Sequence, residues 1–215
     1  MFTKHVQCMF HDFVQGVSGT GKSTLGSALA KVLDIPYVEG DDLHPRSNIE
    51  KMSSGHPLTD SDREPWLKLI RTTAEHMTID MEQKQRSPNK RGVIISCSAL
   101  KRRYRDILRG LGQQENNVKL SSTSEQHSQL KCLDPTLTTL FIYIEGSRDA
   151  LMDRMTKRSD HFMKPSMLAS QLETLESPVY EEGIIVISLM DSNEDQVRVA
   201  QQGLRRALNM RMEVQ

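Results

Sequence analysis

The residues Gly16-Val17-Ser18-Gly19-Thr20-Gly21-Lys22-Ser23 fit the pattern G-x4-G-K-[ST] in full. Glycines at these positions let main-chain N–H groups curl around an anion with no Cβ in the way. A helix starting at the same point turns its positive end toward that anion. Lys22 then reaches the β- and γ-phosphates of ATP, and the Ser23 hydroxyl is a ligand for Mg²⁺. The nucleotide-binding set is Gly16, Val17, Ser18, Gly19, Thr20, Gly21, Lys22, Ser23 and Thr24.

A donor loop says little about the acceptor. The next segment, Tyr37-Val38-Glu39-Gly40-Asp41-Asp42-Leu43-His44-Pro45-Arg46-Ser47-Asn48-Ile49-Glu50-Lys51-Met52, is more informative. It opens as a short strand, so its end falls beside the loop. Acidic groups there hold Mg²⁺ or accept a hydroxyl proton. The His, Asn, Arg and Lys that follow are the hydrogen-bonding groups a polyhydroxy acid requires. Taken alone, the same stretch also reads as a solvated charged loop.

These residues need elements to hold them. The loop must follow a strand and open a helix. Leu25, Ala28, Leu29, Val32 and Leu33 share one helical face, which meets the second demand. The first is met poorly, because Phe10-His11-Asp12-Phe13-Val14-Gln15 stands where an apolar run is expected. Burying His and Asp there costs on the order of several kcal/mol unless they are paired. Further on, Val93–Ile95, Leu140–Ile144 and Ile184–Ile187 read as strands covered on both faces. Helical patterns lie between them. Trp66, Ile70, Met77 and Met81 form one apolar side behind Asp62 and Pro65; Leu100, Tyr104, Ile107 and Leu108 form a second. Val197, Ala200, Leu204 and Leu208 form the last, behind the capping candidates Ser192 and Asn193. Alternating strands and helices predict an α/β fold with a parallel sheet. The length of 215 residues suits a single domain, 1–215, with a polar insertion at 113–136.

Lys plus Arg equals Asp plus Glu, 28 against 28, so no global field favours nucleic acid or an anionic membrane. Neither partner is expected. Cys8, Cys97 and Cys132 match no zinc pattern and read as reduced thiols. No apolar run reaches the length of about 18 residues that a spanning helix needs, and a cytoplasmic protein is expected.

Four ordered blocks carry a more specific signal: GVSGTGKST, EGDDLHPRSNIEKMSSGHPLTDSDREPWL, ISCSALKRRYRDILR and HFM…SQLETLE. The sequence closely resembles the thermoresistant-type gluconokinases, P-loop kinases that phosphorylate D-gluconate to 6-phosphogluconate and feed the pentose phosphate pathway. The resemblance runs from Gly16 to about Pro178; residues 1–15, 113–136 and the tail match weakly. It implies a three-layer P-loop fold like that of nucleoside monophosphate and shikimate kinases, with a five-stranded parallel sheet, a mobile lid at about 154–170, and a homodimer.

By the same resemblance Lys22, Asp41 and Arg158 are catalytic. Asp41 contacts the acceptor hydroxyl, and Glu39 joins Ser23 near Mg²⁺, although it stands where Asp is usual. An ordinary Asp, with a pKa near ~3.9, orients the hydroxyl and takes its proton late. Arg63 grips the acceptor carboxylate, which its planar fork suits. His44, Asn48, Lys51 and His161 complete the acceptor set. Lys101 and Arg105 either hold the hydroxylated chain or decorate an exposed face. Arg154 lies along the adenine or α-phosphate, and Arg158 meets the γ-phosphate. Trp66 reads as a core anchor and Cys97 as packing at a strand end.

Overall fold

The segment with the weakest pattern forms the central strand. In a computed structural model, which describes residues 9–83, 92–111, 137–157 and 165–213, β1 (Met9–Gln15) leads into α1 (Lys22–Leu33) and β2 (Tyr37–Glu39). A 3-10 turn at Gly40–Leu43 precedes α2 (Arg46–Ser53) and α3 (Asp60–Gln83). Then come β3 (Gly92–Cys97), α4 (Arg102–Arg109), β4 (Leu137–Glu145), α5 (Arg148–Thr156), α6 (Pro165–Thr174), β5 (Ile184–Ser188) and α7 (Asn193–Glu213). The polar stretch expected as an insertion at 113–136 lies outside the described residues, as do Cys8, Cys132, Arg158 and His161.

The sheet has five strands in the order β2-β3-β1-β4-β5, and each neighbouring pair is parallel. Both faces of its centre are covered. Val14, Ile94, Leu140 and Ile142 pack with Leu25 and Leu29 of α1 and Ala200 and Leu204 of α7. Phe13, Val93, Ile95 and Phe141 face Trp66, Leu67 and Ile70 of α3 and Tyr104 and Leu108 of α4. This is the expected three-layer α/β arrangement. The edge strand β5 is less enclosed than its apolar sequence implies, with Val186 36% exposed.

Two local readings are corrected. Helix α1 buries Leu25, Gly26, Leu29 and Ala30, while Val32 is 54% exposed. Its inner face is therefore turned by about one residue, because Gly26 and Ala30 let the helix approach the sheet closely. Helix α3 begins at Asp60, so Pro65 sits inside it rather than at its start. By contrast Ser192 caps α7 as expected, its hydroxyl accepting from the Asp195 N–H at 3.1 Å. Among the described residues no helix is long and apolar enough to cross a membrane.

Strand β1 keeps its polar residues inside. His11, Asp12 and Gln15 are buried. His11 pairs through Nε2 with Thr139 Oγ1 at 2.6 Å. Among the described residues, His11 Nδ1, both Asp12 carboxyl oxygens and Gln15 Nε2 have no hydrogen-bond partner. Burial alone pushes the Asp12 carboxyl up to about 8. Burial, helped by the charge of Arg71, pulls the His11 imidazole down to about 3. Both side chains are therefore neutral near pH 7.

Candidate active site

The C-terminal ends of β1, β2 and β3 converge on one side of the sheet, where ligands of open α/β folds bind. After β1 the chain turns through Gly16, Gly19 and Gly21, with φ of 151°, 84° and 92°. A side chain would strain each of these conformations. Gly21 is the N-cap of α1, so the helix begins at Lys22 with its first N–H groups facing the loop. Thr20 braces the turn by donating its hydroxyl to Val17 O at 2.9 Å. Ser23 and Thr24 lie exposed at the mouth.

Lys22 Nζ donates to Val17 O at 3.1 Å, across the loop it closes. Burial pulls its ammonium pKa down, against the charges of Asp41 and Glu39. The lysine thus faces the acidic pair at the end of β2.

Glu39 is held by hydroxyls. Tyr37 donates to Oε2 at 2.7 Å and Ser96 donates to Oε1. The Ser23 hydroxyl is near enough to this carboxylate to lower its pKa. Burial pushes the Glu39 carboxyl up, but the hydroxyls of Ser23, Ser96 and Tyr37 and the Lys22 charge outweigh it and hold it below its ordinary value. An ionised carboxylate beside a serine hydroxyl is a hard oxygen pair, which fits Mg²⁺.

Asp41 behaves differently. The residue is exposed, while desolvation of its carboxyl by the surrounding protein raises its pKa. The charges of Lys22 and Arg63 oppose that rise. Arg63 is buried at 8% exposure, its guanidinium 5.9 Å from the Tyr104 ring centroid. Among the described residues no carboxylate lies within ion-pair distance of it. Asp41, Asp60 and Asp62 act on it only through space.

His44 and Asn48 form the wall between these charges. His44 stacks on Trp66 with centroids 4.0 Å apart and planes 13° apart. Trp66, fully buried, donates its indole N–H to Gly40 O at 2.8 Å, tying α3 to the turn that carries Asp41. Asn48 Nδ2 donates to Asp62 O at 2.8 Å and lies 3.3 Å from His44 Nδ1. That amide orientation makes Nδ1 the acceptor and leaves the imidazole proton on Nε2. Burial and the Arg63 charge lower the His44 pKa to about 4, so the ring is neutral at pH 7.

The remaining basic residues are already engaged. Lys51 pairs with Asp62 at 2.6 Å, and Lys101 pairs with Asp60 at 2.8 Å. Both remain partly exposed at the rim. Arg105 departs from both sequence readings, being neither at the surface nor presented to the cleft. It is fully buried and bonds Ala99 O, Leu100 O, Glu176 O and the Glu181 carboxylate. Its guanidinium fastens α4 to the chain before β5. Arg154 donates to Leu189 O at 2.7 Å.

Three contributors escaped the sequence reading. Tyr37 and Ser96 orient Glu39, and Gln171 of α6 accepts from the Ser18 N–H at 2.7 Å. The only sequence signal for Gln171 is its place in the SQLETLE block.

A glycine-rich anion cradle at a helix N-terminus, opposite an acidic pair and a buried arginine, defines a P-loop kinase of small molecules. A family model described as shikimate kinase matches residues 18–207. The "Probable gluconokinase" of Schizosaccharomyces pombe is 41% identical over 84% of this chain and 80% of its own length. The "Thermoresistant gluconokinase" of Escherichia coli is 40% identical over 83% of each. The crystal structure of a gluconokinase from Sinorhizobium meliloti superposes with a TM-score of 0.70 at 36% identity, covering 97% of this chain and 98% of that one. The chain belongs to the gluconokinase family of shikimate-kinase-like P-loop enzymes.

Proposed function

We propose that this protein transfers the γ-phosphoryl group of ATP to D-gluconate, giving 6-phospho-D-gluconate. The glycine loop that opens α1 at Lys22 carries the reading, together with buried Arg63 and with Asp41, whose charge acts on both cations. Family membership supports gluconate as the acceptor.

The roles follow from the geometry. The amides of Gly16–Thr24 and the Lys22 ammonium hold the phosphates and stabilise charge on the moving group. Arg63 takes the gluconate carboxylate in its fork, which would supply the anionic partner that this buried cation lacks among the described residues. Neutral His44, Asn48, Lys51 and Lys101 line the path for the hydroxyls. Asp41 orients the reacting hydroxyl toward the phosphorus. Its raised pKa suits it to accept the proton late, as the new P–O bond forms and the bond to ADP breaks. Ser23 and Glu39 would hold Mg²⁺, which when bound neutralises phosphate charge. Arg154 on the nucleotide side, Arg158 and His161 in a lid at about 154–170, and a homodimeric assembly belong to the same proposal.

Gluconate-dependent ADP release from the purified chain tests the assignment. Asp41→Asn is expected to lower kcat by about 10²-fold or more while ATP affinity holds. Unchanged kcat removes Asp41 from the chemistry. ATP binding with no gluconate-stimulated turnover in the wild type overturns the assignment.

A further inference from the structure

Glu39 carries one more methylene than an aspartate would at the same place. A longer carboxylate has more rotamers and so needs more restraint to point at a fixed metal position. The structure supplies that restraint from a tyrosine with no other evident task. Tyr37 and Glu39 are two apart on β2, so both project from the same face of the sheet. The register of β2 on β3 puts Ser96 beside Glu39 on that face. The Tyr37 hydroxyl meets Glu39 Oε2 at 2.7 Å and Ser96 Oγ at 2.9 Å, while Ser96 donates to Oε1. Each carboxylate oxygen thus accepts one fixed hydroxyl and keeps lone-pair capacity for a cation or its water.

The tyrosine is itself fixed by α1. A Cβ placed on Gly26 would lie 2.7 Å from Tyr37 Cε2. Glycine inside a helix costs about 1 kcal/mol relative to alanine, so its presence here is explained by the ring it admits. The same helix carries Lys22 and Ser23 on its first turn. Gly26, Tyr37, Ser96 and Glu39 therefore form one brace between the phosphate loop and the end of β2.

We infer that Tyr37, seated against Gly26 and joined by Ser96, is a positioning residue that aims the Glu39 carboxylate at the divalent cation beside Ser23. The inference rests on the reading of Ser23 and Glu39 as the metal site. In that role Tyr37 touches neither nucleotide nor acceptor, and its effect is confined to the cation.

The test is Mn²⁺ binding to the full chain in the presence of ADP, followed by electron paramagnetic resonance, with ADP binding in EDTA as the control. Tyr37→Phe keeps the ring and removes only the hydroxyl. It is expected to weaken Mn²⁺ binding by about tenfold, the ordinary effect of losing a partner of a ligating carboxylate, with metal-free ADP affinity unchanged. Gly26→Ala keeps the hydroxyl but displaces the ring, and is expected to weaken Mn²⁺ in the same direction. Glu39→Gln separates the two claims. If it weakens Mn²⁺ while Tyr37→Phe binds the ion like wild type, the brace is refuted and the metal site stands. If Glu39→Gln binds Mn²⁺ like wild type, the metal assignment fails and the brace with it. A loss of metal-free ADP affinity in Tyr37→Phe also refutes a role confined to the cation.

Discussion

Replacing Asp12 with valine should stabilise this protein, and by more at alkaline pH than at acid pH. Asp12 lies in the central strand between Ile94 of β3 and Leu140 of β4, with neither carboxyl oxygen paired among the described residues. Burial is the sole cause that moves its carboxyl from 3.8 to about 8. The folded chain thus keeps a proton that the unfolded chain releases above pH 3.8, and stability falls as pH rises from there to about 8. His11 has the opposite sign. Its imidazole moves from 6.5 to about 3, so its contribution is complete above pH 6.5 and is lost as pH falls below it. The two slopes cancel between pH 3.8 and 6.5, and only that of Asp12 remains above. From pH 6.5 to about 8 it amounts to about 2 kcal/mol. Valine has a similar size, suits a strand and removes the slope. Urea unfolding, read through the fluorescence of Trp66, the single tryptophan, measures the effect. Asp12→Val should exceed wild type at pH 6.5, and the gap should widen by about 2 kcal/mol by pH 8. A gap that is equal at both pH values, or a less stable variant, would show that Asp12 has a partner or a solvent path.

Two further substitutions separate binding from structure. Arg63→Ala should raise KM for gluconate by on the order of a hundredfold, as expected when a charge-assisted bidentate pair is lost, with KM for ATP much less affected. The reverse pattern in steady-state kinetics would move Arg63 to the nucleotide side. Arg105→Ala should cost about 3 kcal/mol in chemical denaturation, because Glu181 and three carbonyls lose a buried partner. Where the variant is folded, KM for gluconate should not rise selectively; such a rise would return Arg105 to the cleft.

The fold was legible wherever burial was written in apolar runs, as in β3 and β4. It was less so in β1, because His11, Asp12 and Gln15 break the run. They are tolerated by being neutral and by one bond to Thr139 rather than by any local pattern. The face of α1 was misread by one position because Gly26 and Ala30 pack by being small, which an apolar count misses. In the site, glycine spacing exposed the phosphate loop, since its conformation depends on neighbours in sequence. The fate of each cation did not show, because its partner is distant in sequence: Asp60 for Lys101 and Glu181 for Arg105. Arg63 differs from them only in what the fold leaves out of its reach.

The strand order sets one dimension of the chemistry. β1, which carries the donor loop, and β2, which carries Glu39 and leads to Asp41, are not neighbours; β3 runs between them. Two interstrand steps separate the half-sites, a span of about 10 Å, and it is fixed by main-chain hydrogen bonds rather than by flexible side chains. Cys97, the last residue of β3, occupies the middle of that span and is buried and small. The sheet thus serves as a gauge block: the reach of attack is machined into the backbone, and a bulkier residue at its midpoint would act as a shim lifting one reactant away from the other.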